Sequence, residues 1–553
     1  MSPIWRMIGT SFQGYWQSFS FVGLISATLF FSVSVGPSLL PRTFLVQGLL
    51  SGIALAVGYG VGVGLVRVYL FLECPVPSDH RRRIFQWVTT AIVAIVFVLF
   101  LRQMTFWQNS IRERMGMVEL ESAYPVQMAF TAILFGAMLV TSARTVTSVS
   151  RYSSSQLNRF LPRRISTVLG WSIVAIGLLF LVNDVVIRSL LNAADRFFLH
   201  ADGLIDDGVE QPTDRLACGG PESLISWDSI GRRGKNFITG GPTRQELQSY
   251  CDGQAMAPIR VYAGMQTGPD DELKADAALQ ELIRVGAFER SVLVVATPTG
   301  TGWLDPGGVD TIEYLHGGDT AIVSMQYSYL PSWITILVDP QRSIRAAQVL
   351  FDTVYDHWTL LPKDNRPRLY LQGLSLGSLG SELSADLYTI FEDPIQGAVW
   401  SGPPFPSAQW SSVTRARNED SPSWLPEVGN GRLIRFTSQK NTLATDLPWG
   451  PMRNVYIQYA SDPMVFFSPD LLYRSPDWLQ DRGPDVSPYL KWYPIVTFLQ
   501  IGCDLPMATS VPIGHGHNYA PAHYLDAWTA VSEPPNWTEA KTIRLKKHFE
   551  SSD

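Results

Sequence analysis

Hydrophobic residues in the first third of this chain are gathered into long runs that polar residues rarely interrupt. Five of these runs are about long enough to cross the ~30 Å of hydrocarbon in a bilayer, and they cover roughly residues 20–40, 44–66, 85–101, 125–142 and 166–187. The third run, QWVTTAIVAIVFVLFL, contains no charged residue. The pattern therefore predicts a transmembrane domain of about five helices over residues 1–191.

A different pattern begins near residue 258, where short apolar runs alternate with amphipathic stretches. Residues 291–297 (SVLVVAT) form a continuous β-branched run, which is typical of a strand buried on both faces. Residues 340–360 have the spacing of an amphipathic helix. The predicted strands are 258–265, 291–297, 321–329, 368–372, 396–402, 432–438 and 454–461. This alternation predicts a mostly parallel sheet with helices on both faces, within a second domain at 192–553.

Charge divides the chain at the same place. Residues 1–191 contain 15 Arg, no Lys and 6 acidic residues, a net charge of +9. The remainder contains 28 basic and 43 acidic residues, a net charge of −15. A protein that binds nucleic acid needs a basic surface, so the acidic balance argues against nucleic acid as a partner of the larger part.

The arginines also predict an orientation in the membrane, because short cytoplasmic loops are enriched in basic residues. The loop after the second segment contains Arg81–Arg83, and the loop after the fourth contains five arginines between Arg144 and Arg164. The turn after the first segment has only Arg42. These loops predict a multi-pass protein of the cell membrane with a cytoplasmic amino terminus and an extracytoplasmic domain at residues 192–553.

Two pairs of residues depend on this topology. Asp184 and Arg188 lie four residues apart near the outer end of the fifth segment, where an interfacial ion pair is the favoured interpretation and a functional pair the alternative. Cys218 and Cys251 fall on the outer side, where a disulfide can persist. The sequence leaves their pairing open, because it does not give the distance between them.

The strongest chemical motif is Gly373-Leu374-Ser375-Leu376-Gly377, which matches G-x-S-x-G. Predicted strand 368–372 enters the motif and a predicted helix leaves it. This is the context in which a strained turn, the nucleophile elbow, presents a reactive serine. The alternative is a helix start rich in Gly and Ser without chemistry. We interpret Ser375 as a nucleophile.

A nucleophilic serine needs a base, and the base needs an acid that orients it. Asp462 follows the last predicted strand, although an Asp-Pro pair could also simply form a turn. His515 and His517 follow in the glycine-rich segment 514–519. Both histidines are candidates, and we favour His517. Zinc binding by this pair is disfavoured because no third ligand is evident nearby in sequence.

An enzyme of this kind also needs N–H donors for the oxyanion that forms during acyl transfer. The first predicted donor is the N–H of Leu376, directly after the nucleophile. The second should come from the loop after strand 291–297, where Thr299 and Gly300 are the candidates. An ordinary glycine-rich turn is the alternative for that loop.

At this point the chain resembles the bacterial membrane α/β-hydrolases that carry an amino-terminal multi-span domain. The resemblance covers nearly the whole chain and rests on PSLLPR (37–42), PIRVYAG (258–264), TPTGTGW (297–303), QYSYLPSW (326–333), GLSLGS (373–378), SDP (461–463) and GHGHNY (514–519). It implies an α-helical transmembrane bundle followed by an α/β-hydrolase domain, with a Ser–Asp–His triad. Leu374 departs from the family, where Glu is frequent at this place.

These observations together predict a membrane-anchored serine hydrolase. The favoured activity is that of an esterase or lipase, which cleaves acyl esters of lipids at the outer face of the membrane and needs no cofactor or metal. A transacylase of envelope lipids would use the same acyl-enzyme. An inert transport or scaffold protein is the alternative from another class, and a peptidase is less favoured. The apolar helices would anchor the enzyme or deliver lipid to it.

Overall fold

The structure is a computed structural model that describes residues 18–75, 78–180, 202–385, 390–445 and 447–552. The chain divides into two compact units. The first, called here the helical unit, comprises Met1–Ser189, Ser468–Leu479 and Asp485–Met507. The second, called here the sheet unit, comprises Leu190–Phe467, Gln480–Pro484 and Ala508–Asp553. Two segments from within 192–553 therefore pack with the helices of the first third.

The helical unit is built from long apolar helices. They are α1 (Phe21–Ser34), α2 (Phe44–Phe71), α3 (Asp79–Arg114), α4 (Pro125–Leu157) and α5 (Arg163–Phe180). Among the described residues, α2 to α5 are long and apolar enough to cross a membrane, whereas α1 has only 14 residues. The structure thus gives four candidate spans and one shorter apolar helix, where the sequence predicted about five spans.

The ends of these helices differ from the predicted segments. Helix α1 stops at Ser34, and the chain from Val35 to Arg42 is not helical. Helix α3 extends beyond its apolar run at both ends, so that Arg81–Arg83 lie in its first turns rather than in a loop. The last part of the fifth predicted segment, including Asp184 and Arg188, lies outside the described residues.

A buried polar cluster joins the helices to the segment 485–507 within the helical unit. Arg42 forms a salt bridge of 2.7 Å with Asp504, and neither side chain is exposed. The guanidinium also donates to the Gln500 carbonyl at 2.7 Å and to Gln47 at 3.2 Å. Ser38 donates to the other oxygen of Asp504. Asp504 ends helix α15 (Val496–Asp504), so this short helix is fixed to the bundle by charge as well as packing.

The cluster lies at one end of the bundle. The side chain of Gln500 donates to the carbonyl of Gly36 at 3.0 Å, just after α1 ends. Ser487 contacts Ser110 at 2.7 Å near the end of α3, and the ring of Tyr489 packs on Phe106 with 4.9 Å between centroids. The segment therefore meets the bundle where the loops after α1 and α3 lie.

The described part of the sheet unit contains one parallel sheet of seven strands in the order β1-β3-β2-β4-β5-β7-β6. The strands are β1 (Ile259–Ala263), β2 (Val292–Thr297), β3 (Thr320–Met325), β4 (Arg368–Leu374), β5 (Gly397–Ser401), β6 (Ile434–Thr437) and β7 (Arg453–Ile457). Every predicted strand is present. Residues of β2 and β3 are buried throughout, as continuous apolar runs require when helices cover both faces.

Helices lie between most consecutive strands of the sheet unit, as parallel pairing favours, and further helices precede β1 or follow β7. They are α6 (Arg232–Thr239), α7 (Arg244–Gln248), α8 (Asp271–Arg284), α9 (Pro306–Leu315), α10 (Ser332–Val338), α11 (Gln341–Leu360), α12 (Leu376–Glu382), α13 (Ala408–Arg415), α14 (Pro463–Phe466), α16 (Pro521–Ser532) and α17 (Glu539–Ser552). The loops that leave β2, β4, β5 and β7 all emerge at the carboxyl edge of the sheet. This edge gathers the predicted site residues.

The cysteines do not form the disulfide that the sequence left open. Cys218 and Cys251 are both free. Cys218 is buried against the carbonyl of Tyr262, while Cys251 lies against Gly317. Burial raises the pKa of the Cys218 thiol to about 12, which keeps it protonated and unreactive at neutral pH.

Candidate active site

Ser375 occupies a strained turn between β4 and α12. Its backbone has φ +58° and ψ −125°, a conformation that residues other than glycine rarely adopt and that marks functional sites. The turn is held by the Ser375 N–H, which donates to the Ser401 carbonyl of β5 at 2.9 Å. A β-carbon at Gly377 would lie 2.2 Å from the Thr297 carbonyl, so glycine is required where the helix meets β2. This is the geometry expected of a nucleophile elbow.

Asp462 lies past the end of β7, at the start of α14, and is completely buried. One carboxylate oxygen accepts the N–H of Met464 at 2.8 Å. The other accepts from Nδ1 of His517 at 2.7 Å and from the hydroxyl of Tyr519 at 2.8 Å. Of the two candidate histidines, His517 is thus the one that the structure brings to Asp462.

The segment 514–519 is folded so that His517 and Tyr519 reach the same carboxylate. His515 and Asn518 close a tight turn, in which the Asn518 N–H donates to the His515 carbonyl at 3.1 Å. The N–H of Gly516 donates to the hydroxyl of Ser461 at 2.9 Å. His515 is therefore a backbone member of the turn that presents His517.

Ser375 and His517 converge on the end of β5. The N–H of Ser375 donates to the Ser401 carbonyl at the end of β5. Gly402, the residue after Ser401, faces the histidine, because a β-carbon at Gly402 would lie 2.6 Å from Cε1 of His517. Oγ of Ser375 and Nε2 of His517 are both buried, and neither has a hydrogen-bond partner among the described residues. These are the two atoms between which a triad transfers its proton.

The predicted oxyanion donors differ in their surroundings. Leu376 is the first residue of α12, so its N–H has no acceptor within the helix. The N–H of Thr299 donates to the Trp303 carbonyl at 2.9 Å, and the N–H of Gly300 donates to Oγ of Ser332 at 2.9 Å. An oxyanion would have to replace the Ser332 hydroxyl to use Gly300. The start of the helix leaves the N–H of Leu376 without a helical acceptor, and the oxyanion roles of Leu376, Thr299 and Gly300 all stay predictions.

A second buried carboxylate, Asp305, lies close to the histidine. It caps α9 by accepting the N–H of Gly307 at 3.0 Å. Burial raises its pKa to about 7, against the lowering effects of a hydrogen bond from Tyr524 and of the nearby His517. The Tyr524 hydroxyl also contacts Oγ of Ser401 at 2.6 Å. A hydrogen-bonded chain therefore links Asp305 to Ser401, whose carbonyl accepts the backbone N–H of Ser375.

Glu382, at the end of α12, anchors the helix that follows Ser375. Its carboxyl group is buried and accepts from the hydroxyls of Ser378, at 3.0 Å, and Ser407. Burial raises its pKa to about 7. The hydroxyl donors satisfy the buried acid, and Ser407 ties the helix to the chain that follows β5.

Sequence reasoning did not find Tyr519, Gly402 or Asp305. Tyr519 had a usable signal, since it lies two residues after His517 in the glycine-rich segment 514–519. Gly402 and Asp305 gave no comparable signal, because their roles depend on packing between distant segments.

Residues 259–545 match the alpha/beta-hydrolase family, and residues 35–242 match the amino-terminal region described for the same family. No curated protein and no solved structure matches the chain. The two matched regions together include all the site residues discussed above and most of the helical unit.

Proposed function

Because the chain belongs to the alpha/beta-hydrolase family, we propose that it is a serine hydrolase in which Ser375, His517 and Asp462 form the catalytic triad. Family membership supports hydrolase activity, and four apolar helices support membrane association. The observation that carries the finer proposal is the 2.7 Å bond between His517 and Asp462, on the same sheet edge as the strained Ser375.

In the proposed reaction, His517 removes the proton from Oγ of Ser375 as this oxygen attacks the carbonyl carbon of an ester. The imidazolium that forms is stabilised by Asp462 through Nδ1. Oγ then holds the acyl group, and His517 returns the proton to the departing alcohol. Water, activated by the same histidine, releases the acid. The N–H of Leu376 stabilises the oxyanion in both steps.

We propose an acyl ester of a membrane lipid as the substrate, at the outer face. The support is the arginine distribution together with the position of residues 485–507. This segment lies between Asp462 and His517 in sequence, and it packs at the end of the bundle with the arginine-poor loop after α1. Apolar helices in the same chain would keep a lipid-hydrolysing site near its substrate.

The test is labelling of the detergent-solubilised full chain with a fluorescent fluorophosphonate. We expect the wild type to be labelled and Ser375→Ala not to be labelled. Ser384→Ala is the matched control, since this serine lies just past the same helix and its hydroxyl donates to the Ser381 carbonyl. Equal labelling of Ser375→Ala and wild type would refute the nucleophile assignment, as would a wild type that does not react.

The substrate class needs a separate measurement. Phospholipid or neutral acyl esters are presented in mixed micelles, and the free acid is quantified. We expect acid release that depends on Ser375 and exceeds the rate for a water-soluble ester with the same acyl group. A higher rate on the soluble ester would contradict the membrane-lipid assignment while leaving the serine hydrolase intact.

A further inference from the structure

Tyr519 shares the carboxylate oxygen of the triad acid with the histidine. Its hydroxyl lies 2.8 Å from Oδ2 of Asp462, and Nδ1 of His517 lies 2.7 Å from the same atom. Tyr519 is buried and stacks on Tyr459, with 4.5 Å between ring centroids and 20° between planes. The ring is thus fixed in the position from which its hydroxyl reaches the acid.

From this geometry, and resting on the proposed function, we propose that Tyr519 is a positioning residue of the triad. Its hydroxyl orients the carboxylate of Asp462 and limits the negative charge that this carboxylate presents to His517. Tyr519 acts on the histidine through Asp462 and does not contact the reacting atoms.

Tyr519 is the donor in this bond, because a carboxylate can only accept. Burial and the adjacent Asp462 raise the pKa of Tyr519 well above its usual value, so the phenol keeps its proton throughout the working pH range. A hydrogen bond to a charged acceptor is about twice as strong as one between neutral groups. It draws charge from Oδ2, so the imidazolium of His517 is stabilised less than it would be by a carboxylate without this donor.

The consequence concerns the protonated form of His517, which the carboxylate of Asp462 attracts less strongly while Tyr519 donates to it. The enzyme works with neutral His517, because only the neutral ring can accept the proton of Ser375. Tyr519 therefore allows catalysis at lower pH, and it also holds the carboxylate of Asp462 in one orientation. Removal of the hydroxyl should move the acid limb of the rate–pH profile upward.

Other charged and titratable groups lie near Tyr519 and His517, and the comparison between variants must leave them unchanged. Asp305, from the segment before α9, acts electrostatically on His517. Tyr524 of α16 contacts Tyr519, with 6.5 Å between centroids. His523 of the same helix binds the hydroxyl of Tyr459 at 2.6 Å. None of these groups is altered by Tyr519→Phe, which removes a single oxygen and keeps the ring.

The experiment measures the second-order rate of fluorophosphonate labelling against pH for the full chain in detergent. We expect the acid limb of Tyr519→Phe to lie about half to one pH unit above that of the wild type, with a plateau rate reduced less than about tenfold. Tyr459→Phe serves as the matched control, because it keeps the ring that stacks on Tyr519 and removes a neighbouring buried hydroxyl that binds His523 and accepts the N–H of Ala520. Its acid limb should coincide with that of the wild type.

A second comparison separates the proposed role from packing. In an Asp462→Asn background the carboxylate charge is absent, so adding Tyr519→Phe should leave the position of the acid limb unchanged. A lower melting temperature for Tyr519→Phe with an unshifted acid limb would overturn the proposal, because it would show packing alone. A wild type that does not label would instead refute the proposed function itself.

Discussion

The buried ion pair of the helical unit should dominate the stability of that unit. Replacing Arg42 by Met leaves the fully buried carboxylate of Asp504 without its cation, which costs about 3–5 kcal/mol when one partner of such a pair is removed. The acceptors on Gln47 and Gln500 also lose their donor, at roughly 1–3 kcal/mol for each buried group left unsatisfied. We expect Arg42→Met to destabilise the helical unit by at least about 4 kcal/mol.

The double variant Arg42→Met/Asp504→Leu makes the prediction specific. Asp504→Leu alone leaves a buried guanidinium and should cost a similar amount. Removing both charges restores a neutral interior, and apolar replacement of a buried pair is often neutral for stability. The double variant should therefore be more stable than either single variant, with a coupling free energy of about 3 kcal/mol or more.

The assay uses Cys503, which is half-buried next to Asp504. Its rate of thiol modification along a denaturant series reports the opening of this segment, once the other cysteines are replaced by serine at Cys74, Cys218 and Cys251. The free energy is taken from the dependence on denaturant, because Arg42 also acts electrostatically on the thiol. Arg67→Met is the control, since Arg67 is exposed on α2 and should change stability by less than about 0.5 kcal/mol.

Two results would refute this reasoning. If Arg42→Met opens the segment at the same denaturant concentration as Arg67→Met, the pair does not stabilise the unit. If the two single changes simply add in the double variant, the charges act independently and the buried-pair argument fails.

Two further predictions concern the site and the topology. Gly402→Ala should lower the rate of fluorophosphonate labelling at least about tenfold, because the added β-carbon would displace His517. Gly429 has a similar positive φ and open space around it, so Gly429→Ala should label like the wild type. Equal losses in both variants would show that backbone strain alone lowers labelling. The topology can be tested with a maleimide that does not cross membranes, in a background that lacks the native cysteines. The reagent should modify Asp420→Cys in intact cells whose outer envelope admits it, and Arg159→Cys only after permeabilisation. The reverse pattern would place the sheet unit inside.

The parallel sheet could be predicted well because burial on both faces imposes a simple pattern. The continuous run of β2 and the G-x-S-x-G turn after β4 are local signals, and both predicted features are present. Element ends were harder to predict. Helix α3 continues through Arg81–Arg83, since arginine favours helices as well as cytoplasmic loops.

What the sequence could not give is the pairing of distant residues. His515 and His517 both follow glycine. The hydrogen bonds that fold this segment, such as those from Gly516 to Ser461 and from the His517 N–H to the Ala508 carbonyl, accompany the approach of His517 to the acid, and the sequence does not reveal them. The free state of Cys218 and Cys251 likewise depends on distances that spacing does not contain. Arg42 belongs to the PSLLPR motif, but the residues around it do not indicate that its ion-pair partner is Asp504 on α15.

The position of Asp504 has a consequence for biosynthesis. Arg42 leaves the ribosome 462 residues before its counter-ion, so the guanidinium must stay hydrated, or find temporary partners, while nearly the whole sheet unit is translated. The helices can enter the membrane early, yet their polar interior is completed only when residues 485–507 arrive. The helical unit can therefore complete its folding only after most of the sheet unit has been synthesised. A chain that ends before residue 485 would lack both Asp504 and the Gln500 carbonyl, so Arg42 would have neither of these partners.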